Sequence, residues 1–117
     1  MRHKAKGRKF GRKTDVRRAL MRSLAVALVR SEKIQTTEAK AKELRPFIEK
    51  MLTKAREASI ANRRSVSSVI GVVSAKKLFD KIAPKFKDTK GGYTRIIKLA
   101  PRKGDASKMA IIEFTQH

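Results

Sequence analysis

The 117-residue sequence has no cysteine, no tryptophan and only ten acidic residues. Without cysteine there is no disulfide framework, zinc knuckle or thiol nucleophile, and a reducing compartment is the natural setting. The two histidines, His3 and His117, lie at opposite ends of the chain. No Ser/His/Asp order, phosphate-loop glycine pattern or metal-spaced ligand set accompanies them. These absences argue against an enzyme, a bound metal or cofactor, and a small-molecule substrate.

A long apolar run is also missing. The longest, LAVALV at residues 24–29, is far shorter than the roughly 20 residues that span a membrane. Charges continue through the N-terminal segment, so it lacks the apolar core of a secretory signal. An arginine-rich organellar presequence would form an amphipathic helix, which Gly7 and Gly11 oppose. We therefore expect a cytoplasmic protein that begins at its own start methionine and does not bind a membrane.

Positive charge is what the sequence has in excess. Its 31 lysines and arginines against ten acids give a formal net charge of +21. A compact body with that charge repels itself strongly, so a polyanionic partner is expected. In residues 1–13 glycine alternates with charge, and this segment is predicted to be an extended RNA-binding tail through Arg2, Lys4, Lys6, Arg8, Lys9, Arg12 and Lys13. Residues 14–117 are predicted to form a single globular domain.

The spacing of apolar residues predicts a first helix that is capped by Thr14 or Asp15. Its apolar stripe recurs every four residues, at Val16, Leu20, Leu24 and Leu28, and Met21 and Ala27 widen it. Three arginines lie away from this stripe: Arg17, Arg18 and Arg22. The helix is therefore expected to have one face in the core and one cationic face that extends the basic tail onto folded structure.

A second, longer helix is predicted from a cap at Thr37 to about Ala58. Its buried face would consist of Leu44, Ile48, Met51, Leu52 and Ala55. Because proline removes a backbone hydrogen bond, Pro46 predicts a kink or a break near Arg45. Acidic residues alternate with basic ones along this helix, which makes it the least suited to be the main anion-binding face.

The remaining pattern predicts two short helices followed by a β-hairpin. The helices would run from after Asn62 to Gly71, and from about Val73 to Pro84. The hairpin is predicted between about Tyr93 and residue 115, where β-branched residues flank a proline- and glycine-containing turn. An isolated hairpin is marginally stable, so the segment around residue 34 is expected to add a third strand. The predicted class is α+β, with helices packed on one face of a small antiparallel sheet.

Two further groups are candidate RNA contacts. Asn62, Arg63 and Arg64 form a donor cluster at a predicted helix start, where free amides and the helix dipole favour phosphate. Capping of the helix by Asn62 is an equal alternative. Tyr93 could stack on a base, although packing within the sheet is the commoner role for an aromatic residue that begins a strand. With 5% aromatic residues in the chain, phosphate contacts are expected to dominate.

Four segments resemble a known family in their order and spacing: MRHKAKGRKFGR, KIQTTEAKAKELRP, ANRR and GGYTRIIK. Together they resemble the family of the seventeenth protein of the bacterial large ribosomal subunit, over nearly the whole chain. The resemblance implies an α+β domain whose basic N-terminal extension binds large-subunit ribosomal RNA. It also implies a position on the solvent side near the peptide exit tunnel, in contact with neighbouring ribosomal proteins.

Matched motif by motif, the resemblance implies RNA contacts at Arg2, His3, Lys4, Arg8, Lys9, Arg12, Arg63, Arg64, Thr94 and Arg95. The stretch SVSSVIGVVSA departs from the family pattern because it is less polar. A DNA-binding nucleoid protein is the alternative that charge alone allows, but no zinc finger, basic region with heptads or clear recognition helix supports it. A cationic membrane-active peptide ranks last, because the apolar stripes and the hairpin indicate a folded chain.

Overall fold

The computed structural model describes residues 14–116, and within them the chain forms four α-helices and three β-strands. In chain order these are α1 (Thr14–Ser31), β1 (Lys33–Thr37), α2 (Glu38–Glu57), α3 (Ile60–Ile70), α4 (Val72–Lys77), β2 (Thr94–Lys98) and β3 (Met109–Phe114). A π-helical turn (Leu78–Ile82) and a 3-10 turn (Ala83–Phe86) follow α4 directly. The predicted α+β class is confirmed.

The three strands form an antiparallel sheet in the order β1-β3-β2. Ile34 and Ile96 both lie opposite Ile112 in the register, so a row of isoleucines crosses the face that packs on the helices. On the other face, Glu113 lies opposite Lys33 on one side and Arg95 on the other. The predicted hairpin and the third strand around Ile34 are both confirmed.

Helix α1 buries a stripe that overlaps the predicted one at Met21 and Leu28 but is rotated away from Val16. Its buried residues are Met21, Ala25, Leu28 and Val29, whereas Leu20 and Leu24 are half-buried at the edge of the core. Val16, predicted to be buried, is 43% exposed. Each step of four residues in a helix advances the side chain by about 40° beyond a full turn. Val16 is therefore about 120° from Leu28 around the axis, and the two cannot share one narrow face.

Helix α2 lies across the sheet and supplies much of the core. The Thr37 hydroxyl accepts a hydrogen bond from the backbone amide of Lys40 at 3.3 Å, which confirms the predicted cap. All of its predicted core residues are buried. Of the predicted kink or break near Arg45, the break is wrong, because the helix runs through Pro46 to Glu57. Buried residues lie on both sides of the proline, and a break would separate them from the sheet.

The chain between α2 and the hairpin differs from the sequence prediction in two details. The cap of α3 is Ser59, whose hydroxyl accepts from the backbone amide of Asn62 at 3.1 Å, so Asn62 is not the cap. Gly71 ends α3 as predicted, with a φ of 87° that a residue with a side chain rarely adopts. Val73, where the second short helix was predicted to begin, is 84% exposed, and the side chains that enter the core are those of Ala75, Leu78 and Phe79.

Aromatic residues close the end of the core that lies near the hairpin. The Phe86 ring meets the Tyr93 ring edge-on, with 5.3 Å between their centroids, and lies 6.3 Å from Phe114. All three side chains are buried. Within residues 14–116, no helix has the length and apolar character needed to cross a bilayer.

Candidate nucleic-acid interface

Eight of the sequence-predicted RNA contacts precede the part of the chain that the structure describes: Arg2, His3, Lys4, Lys6, Arg8, Lys9, Arg12 and Lys13. The predicted contacts that can be located are the α1 arginines, the cluster at the start of α3, and three residues on β2 or just before it. A basic side chain that pairs with an acidic one is less available to an external anion. Because basic residues outnumber acidic ones, some remain unpaired, and the ion pairs of the folded body show which ones.

The three arginines of α1 are not equivalent. Arg17 pairs with Glu43 of α2, with 3.6 Å between the guanidinium and the carboxylate. Arg18 and Arg22 are exposed, and neither forms a hydrogen bond or an ion pair within residues 14–116. Their spacing of four residues places them on successive turns of one helix face. Two unpaired guanidiniums therefore point from the same side of α1, one turn beyond the start of the described chain.

Arg18 and Arg22 border a depression between α1, α2 and α3. It has a volume of about 340 Å³ and is lined by Arg18, Arg22, Phe47, Ser68 and Val69. A second depression of about 230 Å³ adjoins it and is lined by Met21, Glu43, Pro46, Phe47 and Lys50. Because the two share Phe47, we refer to them together as the Phe47 groove. The groove has an apolar floor and a mainly cationic rim.

Phe47 was not among the candidate residues from sequence. It follows Pro46 at the edge of the α2 core stripe, between Leu44 and Ile48, and its side chain is half-buried. A residue at such a position usually packs in the core, so the sequence offered little reason to single it out. The other residues that line the larger depression come from α1 and α3. The one sequence signal is an aromatic side chain beside a proline in a helix that is otherwise rich in charge.

Asn62 ties α3 to the end of α2. Its side-chain amide donates to the backbone carbonyl of Lys54 at 3.1 Å and to the Glu57 carboxylate at 3.4 Å. The carbonyls of the last helical turn have no partner within the helix, so this amide satisfies one of them. The side chain of Asn62 is thus engaged in the fold rather than free for phosphate.

Arg63 is also engaged within the protein. Its guanidinium donates to the Asp80 carboxylate at 2.9 Å and lies over the Phe79 ring, 4.8 Å from the centroid. The hydrogen bond from Arg63 lowers the pKa of Asp80. Arg63 therefore holds α3 against the π-helical turn. Arg64, its neighbour, is exposed and forms no hydrogen bond or ion pair with the described residues, so it remains open to an external anion.

The two neighbouring arginines give a matched test. Arg63→Ala removes the contact with Phe79, worth about 0.5–1 kcal/mol at an exposed site, so the melting temperature should fall by roughly 2–8 °C. Arg64→Ala should leave the free energy of unfolding within about 0.5 kcal/mol of the parent. Its affinity for ribosomal RNA should fall instead. Thermal melts and RNA titrations on both variants would show this division, and the reverse pattern would exchange the two roles.

Tyr93 lies in the core. Its side chain is buried, and its hydroxyl accepts a hydrogen bond from the Arg56 guanidinium at 2.9 Å. With Phe86 against the ring and Arg56 5.9 Å from its centroid, no ring face is open to an external base. The structure thus favours packing within the fold, the alternative to base stacking that the sequence left open.

Thr94 and Arg95 lie on opposite faces of the sheet. Thr94 is buried, and both its backbone amide and its hydroxyl donate to the Glu49 carboxylate of α2, at 3.1 and 2.8 Å. Arg95 lies on the outer face and pairs with Glu113 at 2.6 Å, with half of its side chain exposed. Thr94 therefore fastens the hairpin to α2, whereas Arg95 still presents part of its guanidinium to the outside.

Two more acidic residues each engage a pair of lysines. Glu32 pairs with Lys77 and Lys85, both at 3.5 Å. Glu38 pairs with Lys42 at 2.9 Å and Lys98 at 3.8 Å, and the hydrogen bond from Lys42 lowers the pKa of Glu38. Around the Phe47 groove, by contrast, Arg18, Arg22 and Lys50 have no ion-pair partner among the described residues. Across residues 14–116, no three histidine or acidic side chains come together as a potential metal site.

The chain is similar to known proteins over most of its length. A family model described as ribosomal protein L17 matches residues 20–115. A relative from Campylobacter concisus is 51% identical over 115 residues, covering 97% of this chain and 98% of the relative. One from Hydrogenobaculum sp. is 48% identical, covering 99% and 100%. A third, from Sphingopyxis alaskensis, is 49% identical, covering 97% and 83%.

All three relatives are named large ribosomal subunit protein bL17, which describes a structural component of the ribosome and not an enzyme. The family model spans most of the chain, and the relatives align over nearly their whole lengths. The four sequence segments that carry the resemblance are therefore part of a similarity that extends through every described helix and strand. The chain belongs to the ribosomal protein L17 family.

Proposed function

We propose that this protein is a structural component of the large ribosomal subunit in the bacterial cytoplasm, where it binds and stabilises large-subunit ribosomal RNA and so supports translation. The observation that carries this proposal is the placement of Arg18 and Arg22, which are exposed, unpaired within the described residues, and next to the basic segment 1–13. The basic residues of the sequence therefore continue beyond Lys13 into residues of α1 that are exposed on one face of the folded body.

The proposed mechanism is scaffolding. Basic side chains neutralise phosphates and so allow RNA helices to approach one another, and arginine adds a planar fork that can grip a phosphate with two hydrogen bonds. In this division of roles, residues 1–13 form the RNA-binding tail and residues 14–117 form one globular domain that fixes where the tail begins. On the body, the proposed contacts are Arg18, Arg22, Arg64 and the exposed part of Arg95.

The family relationship also supports a proposal about position. We propose that the protein lies on the solvent side of the large subunit near the peptide exit tunnel and contacts neighbouring ribosomal proteins. The exposed apolar side chains of Val72 and Val73, in the stretch SVSSVIGVVSA, are suited to such a protein contact.

Binding to structured RNA and to duplex DNA at the same salt concentration would test the proposed function. We expect the full-length protein to bind large-subunit ribosomal RNA at least tenfold more tightly than a duplex of equal charge, because folded RNA offers irregular phosphate arrangements and unstacked bases that a DNA duplex lacks. In cell lysate it should sediment with the large subunit and be released by ribonuclease. Equal affinity for both nucleic acids, with no sedimentation at the large subunit, would favour a nucleoid protein instead.

A further inference from the structure

We propose that the Phe47 groove binds a single unstacked nucleotide of RNA, with its base against Phe47 and its phosphates on Arg18 and Arg22. This inference rests on the proposed RNA-binding function and specifies the class of contact that the folded body makes. It also assigns a role to an aromatic side chain that the core does not fully enclose.

The floor of the groove suits the flat face of a base. Phe47 and Val69 pack against the core cluster from one side, and their remaining surface lines the depression. An unpaired base loses its stacking partners when it leaves an RNA helix, and an aromatic side chain replaces one of them. Because every base has such a face, this contact requires no particular base identity.

The rim of the groove suits the phosphates. Arg18 and Arg22 border the larger depression from α1, and Lys50 borders the smaller one from α2. The one acidic residue in the lining, Glu43, faces the Arg17 guanidinium at 3.6 Å, which offsets its charge. Cationic side chains therefore lie on two sides of the apolar floor. A nucleotide within a strand has one phosphate on each side of its sugar, so both phosphates could meet a cation.

The size and position of the groove favour one nucleotide of a strand that passes near Thr14, where the described chain begins. Its larger part, about 340 Å³, lies near the lower end of the roughly 300–1,000 Å³ that small-ligand sites span, and it is too small for an RNA duplex. Arg18 lies four residues after Thr14, or about 6 Å along the helix axis. An apolar peptide would also fit the floor, but it would leave both guanidiniums without an anion.

Crosslinking by ultraviolet light would locate the contact. The probe is a full-length transcript of large-subunit ribosomal RNA, bound to the full-length protein, irradiated and digested for mass spectrometry. We expect a mononucleotide adduct on the peptide that contains Phe47. If adducts form elsewhere on the protein and the Phe47 peptide carries none, the groove assignment is wrong and the proposed RNA-binding function stands. If the transcript does not bind at all, both are wrong.

Two variants would test the energetics. Phe47→Leu keeps an apolar side chain but removes the aromatic face, and Ser68→Leu fills the groove from the exposed surface of α3 without touching the core. Each should weaken binding to the transcript by about tenfold, as the loss of one stacked base does, while the dependence on salt stays unchanged. Ile60→Ala, at an apolar residue that is 72% exposed and outside the groove, is the matched control and should bind like the parent.

The outcomes separate the alternatives. Thermal melts show whether Phe47→Leu is folded. If it is not, the affinity of Ser68→Leu for the transcript decides whether the groove binds RNA. Parent-like affinity in a folded Phe47→Leu and in Ser68→Leu would overturn the groove assignment.

Discussion

Replacing Tyr93 with alanine should lower the free energy of unfolding by about 3–5 kcal/mol, the range for removing a buried aromatic side chain. Tyr93 is 2% exposed, and its ring packs edge-on against Phe86 next to Phe114. A small domain has roughly 5–15 kcal/mol of stability, so this loss should be visible as a large fall in melting temperature or denaturant midpoint. Chemical denaturation of the full chain, followed by circular dichroism, would measure it.

Tyr93→Phe is the matched control because it keeps the ring and removes only the hydroxyl. That hydroxyl accepts from the Arg56 guanidinium at 2.9 Å, so we expect a smaller loss of about 1.5 kcal/mol, typical of a hydrogen bond to a charged group. The affinity of Tyr93→Phe for ribosomal RNA should stay unchanged. If Tyr93→Ala instead melted with the parent and lost RNA affinity, the ring would be a base-stacking group and the assignment to the core would be wrong.

Deleting residues 2–13 should have the largest effect on RNA binding. Binding of a cation to an RNA phosphate releases a counterion, so each contact steepens the loss of affinity with salt by about 0.7–0.9 on a double-logarithmic plot. The segment carries seven lysines and arginines and no acidic residue. If all of them contact phosphate, the salt dependence of the truncated protein should be shallower by about 5 to 6.

The full-length protein should accordingly lose roughly 10³-fold or more in affinity between 50 and 200 mM salt, and the truncated protein far less. Titrations of a ribosomal RNA transcript at four or five salt concentrations would give both slopes. The melting temperature of residues 14–117 should match that of the full chain, which separates a binding defect from an unfolded body. Equal slopes would mean that the tail makes no phosphate contacts.

Two arginines of the candidate site illustrate the limit of sequence reasoning. Arg63 and Arg64 are adjacent and chemically identical, and the sequence assigns both to phosphate. Asp80, seventeen residues away along the chain, pairs with Arg63, and Phe79 lies under its guanidinium. Because local sequence does not reveal contacts over that distance, only the packing of α3 against the π-helical turn distinguishes the two.

The sequence by itself determined the features that depend on overall composition or on residues a few positions apart. The excess of basic over acidic residues predicted a polyanionic partner before any fold was known. Side chains that recur with the helical period identified the buried face of α2, and β-branched residues around a proline and a glycine identified the hairpin. The Thr37 cap was likewise predictable, because its hydroxyl reaches an amide only three residues ahead.

Only the tertiary structure decided which side chains of the basic surface are free. Glu43 engages Arg17 and Glu113 engages Arg95, and both pairs join different secondary-structure elements. The Phe47 groove likewise exists only where α1, α2 and α3 meet. The physical reason is that the sequence gives the identity of a charged or aromatic residue, whereas the groups that it contacts are often far away along the chain. The role of such a residue depends on groups that folding brings from distant parts of the chain.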